Sequence, residues 1–184
     1  MKRRSIWAAA MTVAVLAAAA CSGGVPTAST TPAVVSYVDY EAAFCSAFTS
    51  LIKGVGNPDA GTPSVLSKSL DDAVAAGDVA AADRAATAIT AELEAGRAQA
   101  ATASRWVGGG PSASGMDRVL VAFEAQVAAK RAWANHLPGA ADPQFALEKA
   151  GGMGAWAALG QGVAEVAIPS GASPKPCPAM QGTP

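Results

Sequence analysis

Residues 79–107 read Val-Ala-Ala-Ala-Asp-Arg-Ala-Ala-Thr-Ala-Ile-Thr-Ala-Glu-Leu-Glu-Ala-Gly-Arg-Ala-Gln-Ala-Ala-Thr-Ala-Ser-Arg-Trp-Val. Val79, Ala82, Ala86, Ile89, Leu93, Gly96, Ala100, Ala103 and Val107 alternate spacings of three and four without a break. That is the period of one face of an α-helix, sustained long enough to form a bundle seam. Most of the seam is Ala or Gly, so a neighbouring helix can approach until backbone atoms contribute to the contact. At 1.5 Å per residue the segment extends about 45 Å and sets the long dimension of the domain.

Helix punctuation extends the pattern in both directions. Upstream, Gly77 suits the left-handed residue that ends a helix, and Asp78 caps the next one. The helix that Gly77 ends is short: Thr62-Pro63 opens it as cap plus first-turn proline, and it carries Val65, Leu66, Leu70 and Val74. Before it, Ser36 caps a helix over 37–55, with Phe44, Phe48, Leu51, Ile52 and Val55 at helical spacing and Asn57-Pro58 at its end. Downstream, Gly108-Gly109-Gly110-Pro111 stops the long segment, and Ser114 with Asp117 forms a capping-box-like start for a helix to about His136. Asp142-Pro143 opens a last helix reaching Val166, in which Gly151-Gly152 and Gly154 predict a kink or a division into two. No strand pattern and no repeat at a solenoid period is present. The fold expected is all-α: an up-and-down antiparallel bundle of four main helices plus one short one, spanning 37–168. If its five segments alternate in direction, the first and last run parallel.

Composition narrows the function. The 184 residues carry 13 Lys and Arg against 14 Asp and Glu, with one His and three Cys. The balance excludes the basic footprint of a nucleic-acid binder, and the high apolar fraction excludes wholesale disorder.

The N-terminus has the layout of an export signal. Lys2, Arg3 and Arg4 precede an apolar run from Ile6 to Ala20, which is shorter than the roughly 20 residues of a membrane span. The run ends Leu16-Ala17-Ala18-Ala19-Ala20-Cys21-Ser22-Gly23-Gly24. Small residues directly before Cys21 resemble the lipobox of bacterial lipoproteins, although Ala18 stands where Leu is commonest. The resemblance implies that 1–20 is a signal peptide and that Cys21 becomes the acylated, palmitate-bearing N-terminus. The chain would then sit on the extracytoplasmic face of a bacterial membrane. If the lipobox is not used, an Ala-x-Ala cut would secrete the protein instead. The Thr/Ser/Pro-rich segment up to Ser36 suits a tether. The mature chain would keep 10 basic and 14 acidic residues, which gives no electrostatic reason to lie flat on lipid.

With Cys21 acylated, Cys45 and Cys177 remain, and outside the cytoplasm a disulfide between them is expected. The Pro-rich tail, 169–184, would be tied back through Cys177. The eleven residues after Val166 reach on the order of 30 Å when extended, enough to double back along the first helix to Cys45. Redox or metal use of the pair would call for close spacing such as Cys-x-x-Cys, which is absent.

Little else carries chemistry. His136, the one histidine, lies at a helix end where it can meet terminal carbonyls. Asp71-Asp72 diverge on their helix, and no Glu-x-x-His metal motif occurs. Neither glycine cluster continues into Gly-Lys-Ser/Thr, so neither is a phosphate loop. No catalytic residue, metal site or cofactor is expected. Trp106, Trp133 and Trp156 are either core plugs or walls of an apolar cleft. Such a cleft would be lined by Trp133, Trp156, Met153 and Gly152, with the glycine break opening it. Taken whole, the chain resembles small Ala-rich helical lipoproteins of bacterial envelopes. The expectation is a non-enzymatic interaction or structural module with an envelope protein as partner. The alternative is a lipid-anchored bundle binding a small apolar molecule.

Overall fold

The computed structural model describes residues 33–58, 60–137, 139–175 and 177–180. Cys21, the expected signal peptide over 1–20 and most of the expected tether therefore lie outside the described residues. The all-α class holds, with six helices among the described residues: α1 Tyr37–Val55, α2 Val65–Ala76, α3 Val79–Ala103, α4 Gly110–Ala134, α5 Pro143–Lys149 and α6 Gly152–Ala164. A two-residue ladder, β1 Gly56–Asn57 with β2 Thr62–Pro63, joins α1 to α2, and a 3₁₀ turn spans Pro178–Met180.

The caps explain where these helices begin and end. Ser36 Oγ accepts from the Asp39 N–H at 3.2 Å while Asp39 accepts from the Ser36 N–H, a reciprocal capping box. Gly77 takes φ 66° and Asp78 Oδ1 accepts from the Ala81 N–H at 2.9 Å. Asp142 Oδ1 accepts from the N–H groups of Gln144 and Phe145. Gly151, at φ 83°, divides the last helical segment into α5 and α6.

α3 and α4, 25 residues each, are the two long staves. Their antiparallel register is seen at both ends: Arg131 pairs with Asp83 at 2.7 Å, and Arg97 pairs with Asp117 at 3.0 Å. α1 runs antiparallel to α3, since a β-carbon at Gly54 would touch Ile89 and Glu92 while Gly96 faces the Ala47 carbonyl. α6 runs antiparallel to α4, with Gly115 against Leu159 and Gly162 against Pro111 and Ser112. α2 continues beyond α1 along α3, and α5 packs beside α4. Leu51, Leu70, Ile89, Leu93, Met116, Val119 and Leu120 are fully buried between these elements.

Four expectations are corrected. α3 stops at Ala103: Trp106 turns back onto Tyr37 and Tyr40, leaving Val107 outside the seam and exposed. The partly buried indole there makes edge and tilted contacts with the two phenol rings. α2 is capped by Ser64, whose Oγ accepts from the Ser67 N–H and donates to the Gly54 carbonyl, so Thr62-Pro63 is free to pair with β1. α4 starts at Gly110 with Pro111 in its first turn, and Ser114 is not its cap. Pro111 needs no N–H partner there, and the earlier start carries Ser112 inward to Tyr40. Finally, the first and last long helices are antiparallel. The short α2 does not reverse the chain; it extends α1 in the same sense until Gly77 turns it.

The α1–α3–α4 junction is a polar pin in an aromatic setting. Tyr40 and Ser112, both buried, share a 2.8 Å hydrogen bond, and Ser112 Oγ also donates to the Gly109 carbonyl. A β-carbon at Gly109 would lie 2.7 Å from the Tyr40 ring, so glycine is what lets the loop close over it. Burial pushes the Tyr40 phenol above its ordinary value near 10.0, with the Ser112 bond opposing. A folded-state value raised in this way stabilises the fold below about pH 10 and is lost as pH rises through it. Tyr40→Phe should cost about 1 kcal/mol at neutral pH and move the alkaline unfolding midpoint upward in a denaturation series. An unchanged alkaline limb would contradict this role.

Candidate functional site

The chain outside the helices converges on α1. After α6 the backbone passes Ile168, turns at Gly171 and runs along α1 towards its C-terminal end. The Lys175 N–H donates to Glu41 Oε1 at 2.8 Å, Cys177 bonds to Cys45 with Cα atoms 5.5 Å apart, and Ala179 packs on the core. The predicted disulfide is thus present. Residues 167–175 are almost all exposed. With so little apolar surface to bury, the described part of the tail is held on α1 chiefly by the covalent bond, with the Lys175–Glu41 bond and the packing of Ala179 beside it.

This strap divides the outer side of α1 into adjoining clefts. One, of about 210 Å³, lies between α1 and α6 and is walled by Tyr37, Phe44, Val163, Val166 and Ile168. A second, of about 240 Å³, lies beside the strap at Val38, Ala42 and Ser46. A third, of about 580 Å³, sits where the last turn of α1, the β1–β2 hairpin and the 3₁₀ turn meet. Its apolar walls are Ile52, Pro63, Pro178 and Ala179, and Thr49, Asn57 and Ser64 add hydroxyl and amide groups. Lys53 is the charged side chain among its described lining residues.

The residues singled out on the sequence are not brought together. Trp133 is 43% exposed and lines an open depression with Val74, His136 and Leu137 at the far end of α4. Trp156 packs against Phe48 with ring centroids 6.3 Å apart. Met153 is 76% exposed. Gly152 is close against Leu147, where a β-carbon would lie 2.8 Å from Cγ, so that glycine serves the α5–α6 junction. From the Gly115–Leu159 register, the start of α6 lies more than two turns of α4 short of Trp133. Trp106 alone joins an aromatic cluster, with Tyr37 at 5.2 Å and Tyr40 at 4.7 Å. The groove carries little sequence signal: its walls come from three separate segments, none with a motif.

Some charged groups elsewhere are paired along the surface. Arg97 meets Asp117 and Glu124, Lys68 meets Asp72, and Lys130 meets Asp71. Arg131 and Asn135 hold the Asp83 carboxyl below its ordinary value by hydrogen bonding. His136, at φ 51°, is exposed in the turn after α4. Among the described residues no group of three or more His, Cys, Asp or Glu is placed to hold a metal ion, and no helix is long and apolar enough to cross a membrane. The chain matches no protein-family model, no curated protein and no solved structure.

Proposed function

We propose that this chain is a lipid-anchored, extracytoplasmic helical bundle of a bacterial envelope that acts by contact and not by catalysis. The observation that carries the reading is the Cys45–Cys177 bond. A disulfide fastening an otherwise weakly held tail persists in an oxidising compartment, which agrees with the export signal and the lipobox-like sequence before Cys21. The helices support an up-and-down arrangement of four staves, two of them broken, as at α1–α2 and α5–α6. The tether joins at α1, beside Trp106, while the exposed Trp133 and Leu137 lie at the opposite end of α4. That end is free to meet an envelope protein.

Cys21→Ala should release the protein from membranes and abolish incorporation of labelled palmitate. If the wild-type chain never takes up palmitate, the anchor is wrong. Crosslinking in native envelopes would identify the partner, and Trp133→Ala should weaken the crosslink.

A second reading, a ligand-binding bundle, is favoured by the 580 Å³ groove, a volume within the range of small-molecule sites. It places the ligand away from Trp133 and Trp156.

A further inference from the structure

We infer that the groove between α1, the β1–β2 hairpin and the 3₁₀ turn is a site for an amphiphilic monoanion, a carboxylate with an apolar body, and that the disulfide builds it. This inference rests on the ligand-binding reading and adds the class of ligand and the role of the strap.

Three observations carry it. First, the walls suit an apolar body. Ile52 belongs to α1, Pro63 to the hairpin, and Pro178 and Ala179 to the strap, so the groove is lined from both sides by side chains without donors. Second, Lys53 is the charged side chain among the described residues that line it. Lys53 lies in the last turn of α1, and its ammonium, like the cations of Arg84, Arg105, Lys149 and Lys175, has no ion-pair partner among the described residues. No described lining residue is acidic. A carboxylate entering there would meet the Lys53 ammonium; the Thr49 and Ser64 hydroxyls already donate to the Cys45 and Gly54 carbonyls. Third, one wall exists because of Cys177. Pro178 and Ala179 follow the bonded cysteine directly, and the residues before it bury almost nothing. Opening the bond therefore removes a wall of the groove without touching the buried seams of α3 and α4.

The hairpin supplies the rigidity of the other wall. Gly56 adopts φ 104°, and a β-carbon there would collide with the Thr62 carbonyl, so the strand pair closes tightly on the end of α1. Ser64 then ties the hairpin to Gly54 at 2.8 Å. The site is thus framed by a fixed hairpin on one side and a strap, fixed only while oxidised, on the other.

The test is calorimetric titration of the full chain carrying Cys21→Ala, which keeps lipid and detergent out of the measurement. Three ligands of equal chain length are used: decanoate, decan-1-ol and decyltrimethylammonium. Decanoate should bind best, and Lys53→Ala should weaken decanoate roughly two- to fivefold while leaving decan-1-ol unchanged, as expected for one exposed ion pair. Added salt should weaken decanoate alone. Ala60→Trp, at an exposed lining position, should block decanoate and decan-1-ol alike. Reduction of the disulfide should weaken both, with helicity by circular dichroism retained. Equal binding of decanoate and decan-1-ol, indifferent to Lys53, would overturn the anion inference and leave the ligand-binding reading standing. Binding of none of the three would overturn both. Binding untouched by reduction would overturn the role of the strap.

Discussion

Replacing Cys45 and Cys177 together by Ser should lower the stability of the folded domain by about 3–5 kcal/mol, as the chain-entropy account gives for so long a loop. The bond spans a sequence separation of 132 residues and so encloses nearly all of the folded chain. Without it the unfolded chain regains the freedom of that whole loop, whereas the losses to the folded state among the described residues are small contacts such as the Lys175–Glu41 bond and the packing of Ala179. The melting temperature should fall by roughly 10–20 °C for a domain of this size. The urea m-value should rise, because the unlinked denatured chain exposes more surface. A double variant within 1 kcal/mol of wild type would show that the denatured chain is already compact.

Gly162→Ala and Gly160→Ala, two residues apart on α6, should move stability in opposite directions. In a helix interior Gly→Ala ordinarily adds about 1 kcal/mol. At Gly160 a β-carbon meets nothing within 4 Å, so Gly160→Ala should realise that gain. At Gly162 the same atom would lie 2.7 Å from the carbonyl carbon of Pro111 and from the Ser112 nitrogen. Those are backbone atoms of α4, and relief requires the two helices to separate. Overpacking of this kind costs about 1–3 kcal/mol, and separation would also strain the Tyr40–Ser112 bond. Gly115, whose β-carbon would lie 2.7 Å from the Leu159 Cα, is the reciprocal contact from α4. Gly115→Ala should therefore behave like Gly162→Ala, and the pair should be non-additive because both open the same seam. Parallel urea titrations give the answer. If Gly162→Ala stabilises as Gly160→Ala does, the close approach of α4 and α6 is wrong.

Much of the fold was legible in local chemistry. Caps are decided within four residues, so Ser36, Gly77, Asp78 and Asp142 could be read directly, and the small-residue stripe of α3 marked its buried face from Ala82 to Ala103. Gly151 announced the division of the last helix because a left-handed residue cannot continue one. Errors fell where a distant partner outweighed the local signal. Ser114 and Asp117 have the spacing of a cap, but Pro111 and the inward pull of Ser112 towards Tyr40 set the start of α4 earlier. Trp106 and Val107 continue the periodicity of α3, yet the aromatic cluster on α1 draws the chain off the helix axis.

The candidate site divides in the same way. Cysteine number, together with the lipobox resemblance, paired Cys45 with Cys177 on the sequence alone, since setting Cys21 aside leaves one pairing. The tryptophans proved a poor guide to a cleft. Their size makes them conspicuous in a sequence, but Trp106 and Trp156 meet different parts of α1 and Trp133 lies at the far end of α4. The groove was invisible because its walls are an isoleucine and a lysine of α1, a proline of the adjoining hairpin, and a proline and an alanine from a strap more than 100 residues further along the chain.

The alternation of threes and fours over 79–107 by itself determined that the chain is helical and that its helices approach closely, because periodicity and side-chain size are local properties. Which helices meet, where the staves break and which surface becomes concave were decided only in the tertiary structure. Those outcomes depend on contacts between distant segments: Gly115 with Leu159, Tyr40 with Ser112, Cys45 with Cys177. No single window of sequence contains both members of such a pair.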